Sequence, residues 1–139
     1  MAFSSGGSRT DVGLLVIRLA IGASMAAFHG YDKLAGGPER WARVGANMKN
    51  LGLGFMPEAW GLAAASTEFF GSILLMTGLL FRPAAGLLAF TMVVAATRHL
   101  TLPPGSENAG WSGASHAIEL LAVYIGLLLS GPGKYKLGR

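Results

Sequence analysis

Ionisable residues interrupt several long apolar runs of this sequence, and they are the residues whose types suit chemistry inside a membrane. Glu68 stands in the middle of one such run, between residues 60 and 80. A charged side chain at that depth in a bilayer costs about 2.5–3.5 kcal/mol on the insertion scale, so a group inside the protein must compensate it. The other candidates lie within or at the ends of similar runs: Arg18, His29, Arg98, His99, His116 and Glu119.

Carboxylates, imidazoles and guanidinium groups inside a membrane are typical of several kinds of site. A polar pocket with a carboxylate that relays protons beside a hydrogen-bond donor suits quinone reduction. Two histidines from facing helices can ligate haem. His116 and Glu119, three residues apart, resemble half of a metal site, but no complete metal site is predicted. The same groups can also form a buried network that only holds helices in register.

The composition is that of an integral membrane protein. Of the 139 residues, 52% are hydrophobic and 13% are charged, which differs from soluble domains. The sequence has no cysteine, which excludes disulfides, thiol catalysis and cysteine-ligated clusters. The net charge of +4 comes from residues near the ends of the apolar runs, without a basic cluster that alternates with aromatics. We therefore expect contact with a lipid bilayer and not with nucleic acid.

Four apolar runs are long enough for transmembrane helices. The predicted spans are about 12–30, 58–81, 83–99 and 113–131. Between the first two, Trp41, Val44 and Met48 recur at helical spacing in a segment of about 38–51. This predicts a short amphipathic helix that either lies along the membrane surface or packs over the end of the bundle. The predicted fold is all-α, an integral membrane antiparallel four-helix bundle in one domain of residues 1–139.

An antiparallel bundle brings the polar residues to one membrane face. The end of the first span, the start of the second, the end of the third and the start of the fourth meet there. Only Arg18 lies in the other half. We expect a polar pocket that opens to one surface, with Arg98 or Arg18 compensating the glutamates. The alternative is that these residues form no pocket. The histidines at span ends would then lie at the membrane interface, and the Arg98 side chain would extend to the lipid headgroups.

Three groups of motif residues share a pattern with a known family. They are Arg18 with Phe-His-Gly at 28–30 and Lys33, Glu-Phe-Phe-Gly at 68–71 with Gly78 and Arg82, and His116 with Glu119 ahead of Gly-Pro-Gly-Lys-Tyr at 131–135. Over residues 12–137 the chain resembles the DoxX family of small bacterial membrane proteins with four helices. Lys134 stands where that family usually has arginine, and the Ser-Leu-Asp that usually follows is absent.

The resemblance implies a membrane subunit of a quinone-linked oxidoreductase or of a redox-homeostasis complex. It implies other membrane or redox proteins as partners. Whether a cofactor binds stays open, with quinone as the first candidate and haem, held by two facing histidines, as the second. The alternative is a structural or assembly subunit with no chemistry of its own, and whether the protein is an enzyme stays open. A third possibility is a carrier of protons or of a small solute. The half of the bundle away from the polar residues has only Arg18, so the sequence shows no continuous polar path for transport.

The resemblance also implies the bacterial inner membrane as the location of a multi-pass protein. The basic residues on the two membrane sides are nearly balanced in number. The short turn at Arg82 and the basic C-terminal segment favour a cytoplasmic location for both termini.

Overall fold

The computed structural model describes residues 8–138, which form helices and turns without a strand. Within them, four helices are long and apolar enough to cross a membrane: span 1 (Arg9–Ala35), span 2 (Pro57–Thr77), span 3 (Phe81–Thr101) and span 4 (Gly110–Ser130). These helices confirm the all-α membrane bundle that the sequence predicts. Span 1 continues beyond residue 30 because Tyr31–Ala35 contains neither glycine nor proline, and the helix ends at Gly36.

Local sequence explains where spans begin and end. The Ser8 hydroxyl accepts a hydrogen bond from the Asp11 amide at 3.2 Å, and the Asp11 carboxylate accepts one from the Ser8 amide at 2.8 Å. This reciprocal capping box begins span 1. Pro57 begins span 2, at a position where the helix needs no amide hydrogen. Span 2 ends at Gly78, whose φ of 79° is favourable only for glycine.

The spans pack against one another in sequence order. Span 1 contacts span 2, span 2 contacts span 3, and span 3 has its largest contact with span 4. The α-helical parts of spans 1 and 4 make little contact. Their facing surfaces leave a shallow groove lined by apolar and small residues, among them Ile17, Ala20, Val123 and Gly126. The bundle is therefore open along one side.

The connection between spans 1 and 2 forms the predicted amphipathic helix. This connecting helix covers Gly37–Gly45 and continues as a 3₁₀ helix over Ala46–Leu51. Its apolar face turns towards the bundle, with Trp41 half-buried and Met48 buried. It packs on the start of span 2, where a Cβ atom at Gly61 would collide with the backbone of Trp41. The connecting helix thus covers the end of the bundle where the predicted site residues lie.

Two π-helical turns interrupt spans 1 and 2 where these spans cross. They cover Ala26–Gly30 and Thr67–Gly71, and they pack against each other. A Cβ atom at Gly30 would collide with the backbone of Glu68 and Phe69, so glycine is required for this close approach. π-Helical turns are rare and often occur at functional sites. The second of these turns contains Glu68, the residue whose buried charge requires a compensating group.

Candidate functional site

Glu68 forms an ion pair with Lys33. The side chain of Glu68 is 2% exposed, and each of its two oxygens accepts a hydrogen bond from the Lys33 ammonium at 2.7 Å. The compensating cation is therefore Lys33, and the expected pairing with Arg98 or Arg18 is not the one that forms. Lys33 lies in the last turn of span 1, where the Trp41 indole donates a hydrogen bond to its carbonyl oxygen at 3.0 Å.

A cavity of about 240 Å³ lies beside this ion pair. It is enclosed by spans 2 and 3, the connecting helix and Lys33, and the described part of span 4 contributes nothing to its lining. Its polar and ionisable lining residues are Lys33, Asn47, Trp60, Thr67, Glu68, Thr91, Arg98 and His99. Leu87 and Phe90 also line it and are 57% and 48% exposed on the outer surface of span 3. The cavity therefore has a polar end and an apolar edge at the bundle surface.

Trp60 lines the cavity, and its indole carries a buried hydrogen-bond donor that the described residues leave unused. Its Nε1 atom is buried and has no hydrogen-bond partner among the described residues. Leaving such a buried donor unsatisfied costs about 1–3 kcal/mol. Trp60 and Glu68 are eight positions apart in span 2 and line the same cavity. Trp60 is therefore a lining residue whose buried donor is unsatisfied in the described part of the chain.

Arg98 and His99 also line the cavity, at the end of span 3. Arg98 is exposed, and its guanidinium makes no hydrogen bond or ion pair with another described residue. His99 is half-buried, with Nδ1 2.8 Å from the carbonyl oxygen of Asn108 in the loop between spans 3 and 4. These two residues place further polar groups near the surface end of the cavity.

The remaining predicted residues of this half lie outside the cavity. His29 and His116 face each other from spans 1 and 4, with ring centroids 5.9 Å apart. Glu119, one turn beyond His116, is exposed and makes no hydrogen bond or ion pair within residues 8–138. The predicted cluster therefore divides into the cavity lining and a second group on spans 1 and 4, in which His29 is half-buried and His116 and Glu119 are exposed. Among the described residues, no three histidine or carboxylate side chains come together as metal ligands.

Arg18 lies apart from both groups, in the opposite half of the bundle. It is 1% exposed, its Nη1 donates a hydrogen bond to the carbonyl oxygen of Pro132, and its Nε has no partner among the described residues. The guanidinium also lies next to Gly78. It is therefore near the C-terminal ends of spans 2 and 4, where helix carbonyl groups carry partial negative charge. Arg18 connects the C-terminal segment to the bundle and does not contribute to the cavity.

Five polar lining residues were not among the site residues predicted from the sequence, and Lys33 and Trp60 are the two that matter most for the site. From the sequence, Lys33 is a motif residue and one of the basic residues beyond the predicted end of the first span. It follows His29 by four residues, so a helix that continues through Gly30 places both residues on the same face. From the sequence, Trp60 is only the first residue of an apolar run. Its spacing from Glu68 would have placed both residues on one side of span 2.

These features define a class of protein: a multi-pass helical membrane protein with a buried lysine–glutamate pair beside a small cavity. The family profile of DoxX matches residues 13–102, which is more than half of the chain, and the protein belongs to the DoxX family. The family resemblance found in the motifs is thereby confirmed. The match includes the cavity residues and ends before span 4, so His116 and Glu119 lie outside it. The chain matches no curated protein and no solved structure.

Proposed function

We propose that this protein is a membrane subunit of a quinone-linked oxidoreductase or of a redox-homeostasis complex, and that the cavity binds a quinone head. The observation that carries the proposal is the buried, unpartnered indole N–H of Trp60, a residue that lines the cavity. A buried tryptophan usually finds an acceptor for this donor. A quinone carbonyl is such an acceptor.

The size and polarity of the cavity support an amphiphilic ligand. Its volume of about 240 Å³ is below the ~300–1,000 Å³ of common small-molecule sites. The head of a quinone would enter, while its isoprenoid tail would lie over Leu87 and Phe90 at the bundle surface. The Lys33 ammonium has three N–H donors and uses two of them on Glu68, so one is left for a carbonyl oxygen.

The ion pair supports a role in proton transfer. Quinone supplies the redox chemistry and takes up protons with electrons. Glu68 and Lys33 hold an exchangeable proton between them inside the bundle. Arg98 and His99 are the next polar side chains of the cavity lining towards the end of span 3. Electrons would come from a partner protein of the same complex.

A structural role is the second candidate, and one observation favours it. Lys33 already satisfies both oxygens of Glu68. An ion pair in which both carboxylate oxygens already accept hydrogen bonds can hold spans 1 and 2 together where they cross, without a ligand. The protein would then be an assembly subunit of a larger membrane complex with no chemistry of its own.

We further propose that the protein lies in the bacterial inner membrane with both termini in the cytoplasm. DoxX membership and four apolar helices support a multi-pass membrane protein. Arg82, Lys134 and Lys136 lie at the end of the bundle opposite the cavity. The preference of basic residues for the cytoplasmic side favours that end as the inner one.

Purified protein in nanodiscs tests the ligand. We expect quinone in its lipid extract, and added decylubiquinone should raise the unfolding temperature. Trp60→Phe should weaken quinone binding about three- to tenfold, because one hydrogen bond is lost. Trp111→Phe is the matched control, since Trp111 is 74% exposed and does not line the cavity. Absence of both quinone and thermal shift would reject the proposal, and a Soret band would favour haem at His29 and His116 instead.

Glu68→Gln separates the two candidate functions. If the cavity carries quinone chemistry, quinone-linked turnover per assembled complex should fall in this variant, whatever its yield in the membrane. If the pair is only structural, the yield and unfolding temperature should fall while turnover per assembled complex stays unchanged. Glu58→Gln is the control, because Glu58 is an exposed carboxylate at the start of the same span.

A further inference from the structure

Span 4 presents a polar stripe on the outer surface of the bundle. The stripe consists of exposed residues at three- and four-residue spacing: Ser112, Ser115, His116, Glu119, Ala122 and Gly126. Beside this stripe, span 4 exposes large apolar side chains such as Ile125 and Leu129, as the other spans do. Glu119 lies about 13–14 Å along span 4 from Gly110, near the middle of the helix. The stripe thus exposes a carboxylate at mid-membrane depth.

This carboxylate requires a partner that the described chain does not supply. Glu119 makes no hydrogen bond or ion pair within residues 8–138. Lipid tails offer no hydrogen bonds, and a charged group among them costs about 2.5–3.5 kcal/mol. The small side chains at Ala122 and Gly126 would allow another helix to approach closely. The shallow groove beside them, between spans 1 and 4, adds space for that helix.

We propose that span 4 of a second copy covers this stripe, so that the protein is a dimer with its two-fold axis along the membrane normal. His116 and Glu119 are about 4.5 Å apart along the helix axis. In a two-fold dimer the same patch meets itself, and every contact occurs twice. His116 would donate a charge-assisted hydrogen bond to Glu119 of the partner subunit, and the second pair would form by symmetry.

Charge complementarity favours a second copy over a different protein. The stripe contains one imidazole and one carboxylate, so two copies satisfy each other without a further charge. A different partner helix would need its own donor at the same depth as Glu119. The dimer does not depend on the quinone proposal, because none of the stripe residues lines the cavity.

Cysteine cross-linking in membranes tests the dimer. The chain has no cysteine, so single introduced cysteines give no background. Ala122→Cys and Gly126→Cys should form disulfide-linked dimers after copper-phenanthroline treatment, and the bands should persist when the protein is diluted in lipid. Val93→Cys is the matched control on the outer surface of span 3. Its dimer band should disappear with the same dilution, because only random collisions would produce it.

Charge substitutions test the pairing itself. Glu119→Leu should weaken dimerisation about five- to tenfold, because each interhelical hydrogen bond contributes a factor of about three and two are lost. His116→Glu should also weaken it, whereas His116→Glu combined with Glu119→His should restore it. The proposal is overturned if the cysteine variants stay monomeric or link only to another protein. Failure of the exchanged pair to restore dimers, at an unchanged unfolding temperature, also overturns it.

Discussion

The two halves of the bundle neutralise a buried charge in different ways. In the half with the cavity, Glu68 is paired with the side chain of Lys33, next to the unpartnered indole of Trp60. In the opposite half, Arg18 is held by the Pro132 carbonyl oxygen near the C-terminal ends of two helices. A flexible lysine can share its donors with a ligand, whereas helix carbonyl groups are fixed. This difference favours the first half as the functional one.

The opposite half is closed by the C-terminal segment. The Lys134 amide donates a hydrogen bond to the Asp11 carboxylate at 2.9 Å, and the Leu137 amide donates one to the Thr77 carbonyl oxygen at 2.8 Å. Both donors are backbone groups. The lysine that stands at 134 in place of the family's usual arginine therefore leaves these two contacts unchanged. The C-terminal segment is connected to spans 1 and 2 through its main chain.

The largest expected effect comes from breaking the side-chain pair. Lys33→Met leaves Glu68 buried without a cation. Removal of one partner from a buried pair costs about 3–5 kcal/mol, and we expect the lower end because the Lys33 side chain is 25% exposed. The midpoint of unfolding in a denaturing-detergent titration measures the loss. Lys33→Met combined with Glu68→Met should recover most of it, and a double variant as unstable as the single one would contradict the pairing.

The fold was more predictable from the sequence than the site. Apolar runs of sufficient length identify the four spans because a bilayer imposes that length whatever the helices pack against. Small residues recur at four-residue intervals in span 1, at Gly22, Ala26 and Gly30, and the two glycines pack against span 2. These are properties of single helices, and a sequence records them directly.

The site depends on which side chains meet between helices, and helical spacing alone does not determine this. Two π-helical turns change the direction of the side chains that follow them. The long side chain of Lys33 reaches back to Glu68, so a residue expected beyond the membrane became the partner. His116 and Glu119 share a depth with the cavity residues but lie on the outer surface. Residue counting predicts the depth of a side chain in the membrane, but it does not predict the direction in which the side chain points from the helix.

Gly30→Ala is expected to have a smaller effect than Lys33→Met, again in the cavity half. The added methyl group would collide with the backbone of Glu68 and Phe69, which cannot move aside as a side chain does. Overpacking of this kind costs about 1–3 kcal/mol, and the same detergent titration measures it. Gly86→Ala is the control, because a Cβ atom there meets nothing within 4 Å. Equal stability of the two variants would show that spans 1 and 2 cross less closely than described.

Arg18→Met tests the opposite half. It removes the charge-assisted hydrogen bond to Pro132 and should cost about 1.5–3 kcal/mol. Because the C-terminal segment then loses one attachment, trypsin should cleave after Lys134 and Lys136 faster than in the unchanged protein. Quinone binding should not change, since Arg18 does not line the cavity. Arg9→Met, at an exposed position in the same span, should alter neither cleavage nor stability.

The smallest effect is expected at the start of span 1. There the Asp11 carboxylate accepts hydrogen bonds from the cap residue Ser8 and from the Lys134 amide. Ser8→Ala removes the cap of the helix and should cost about 1 kcal/mol. It leaves the Asp11 carboxylate free to accept the hydrogen bond from the Lys134 amide, so tryptic cleavage after Lys134 should stay slow. Asp11→Ala removes both contacts and should speed that cleavage. If Ser8→Ala speeds it equally, the order of the helix end, and not the carboxylate, holds the C-terminal segment in place.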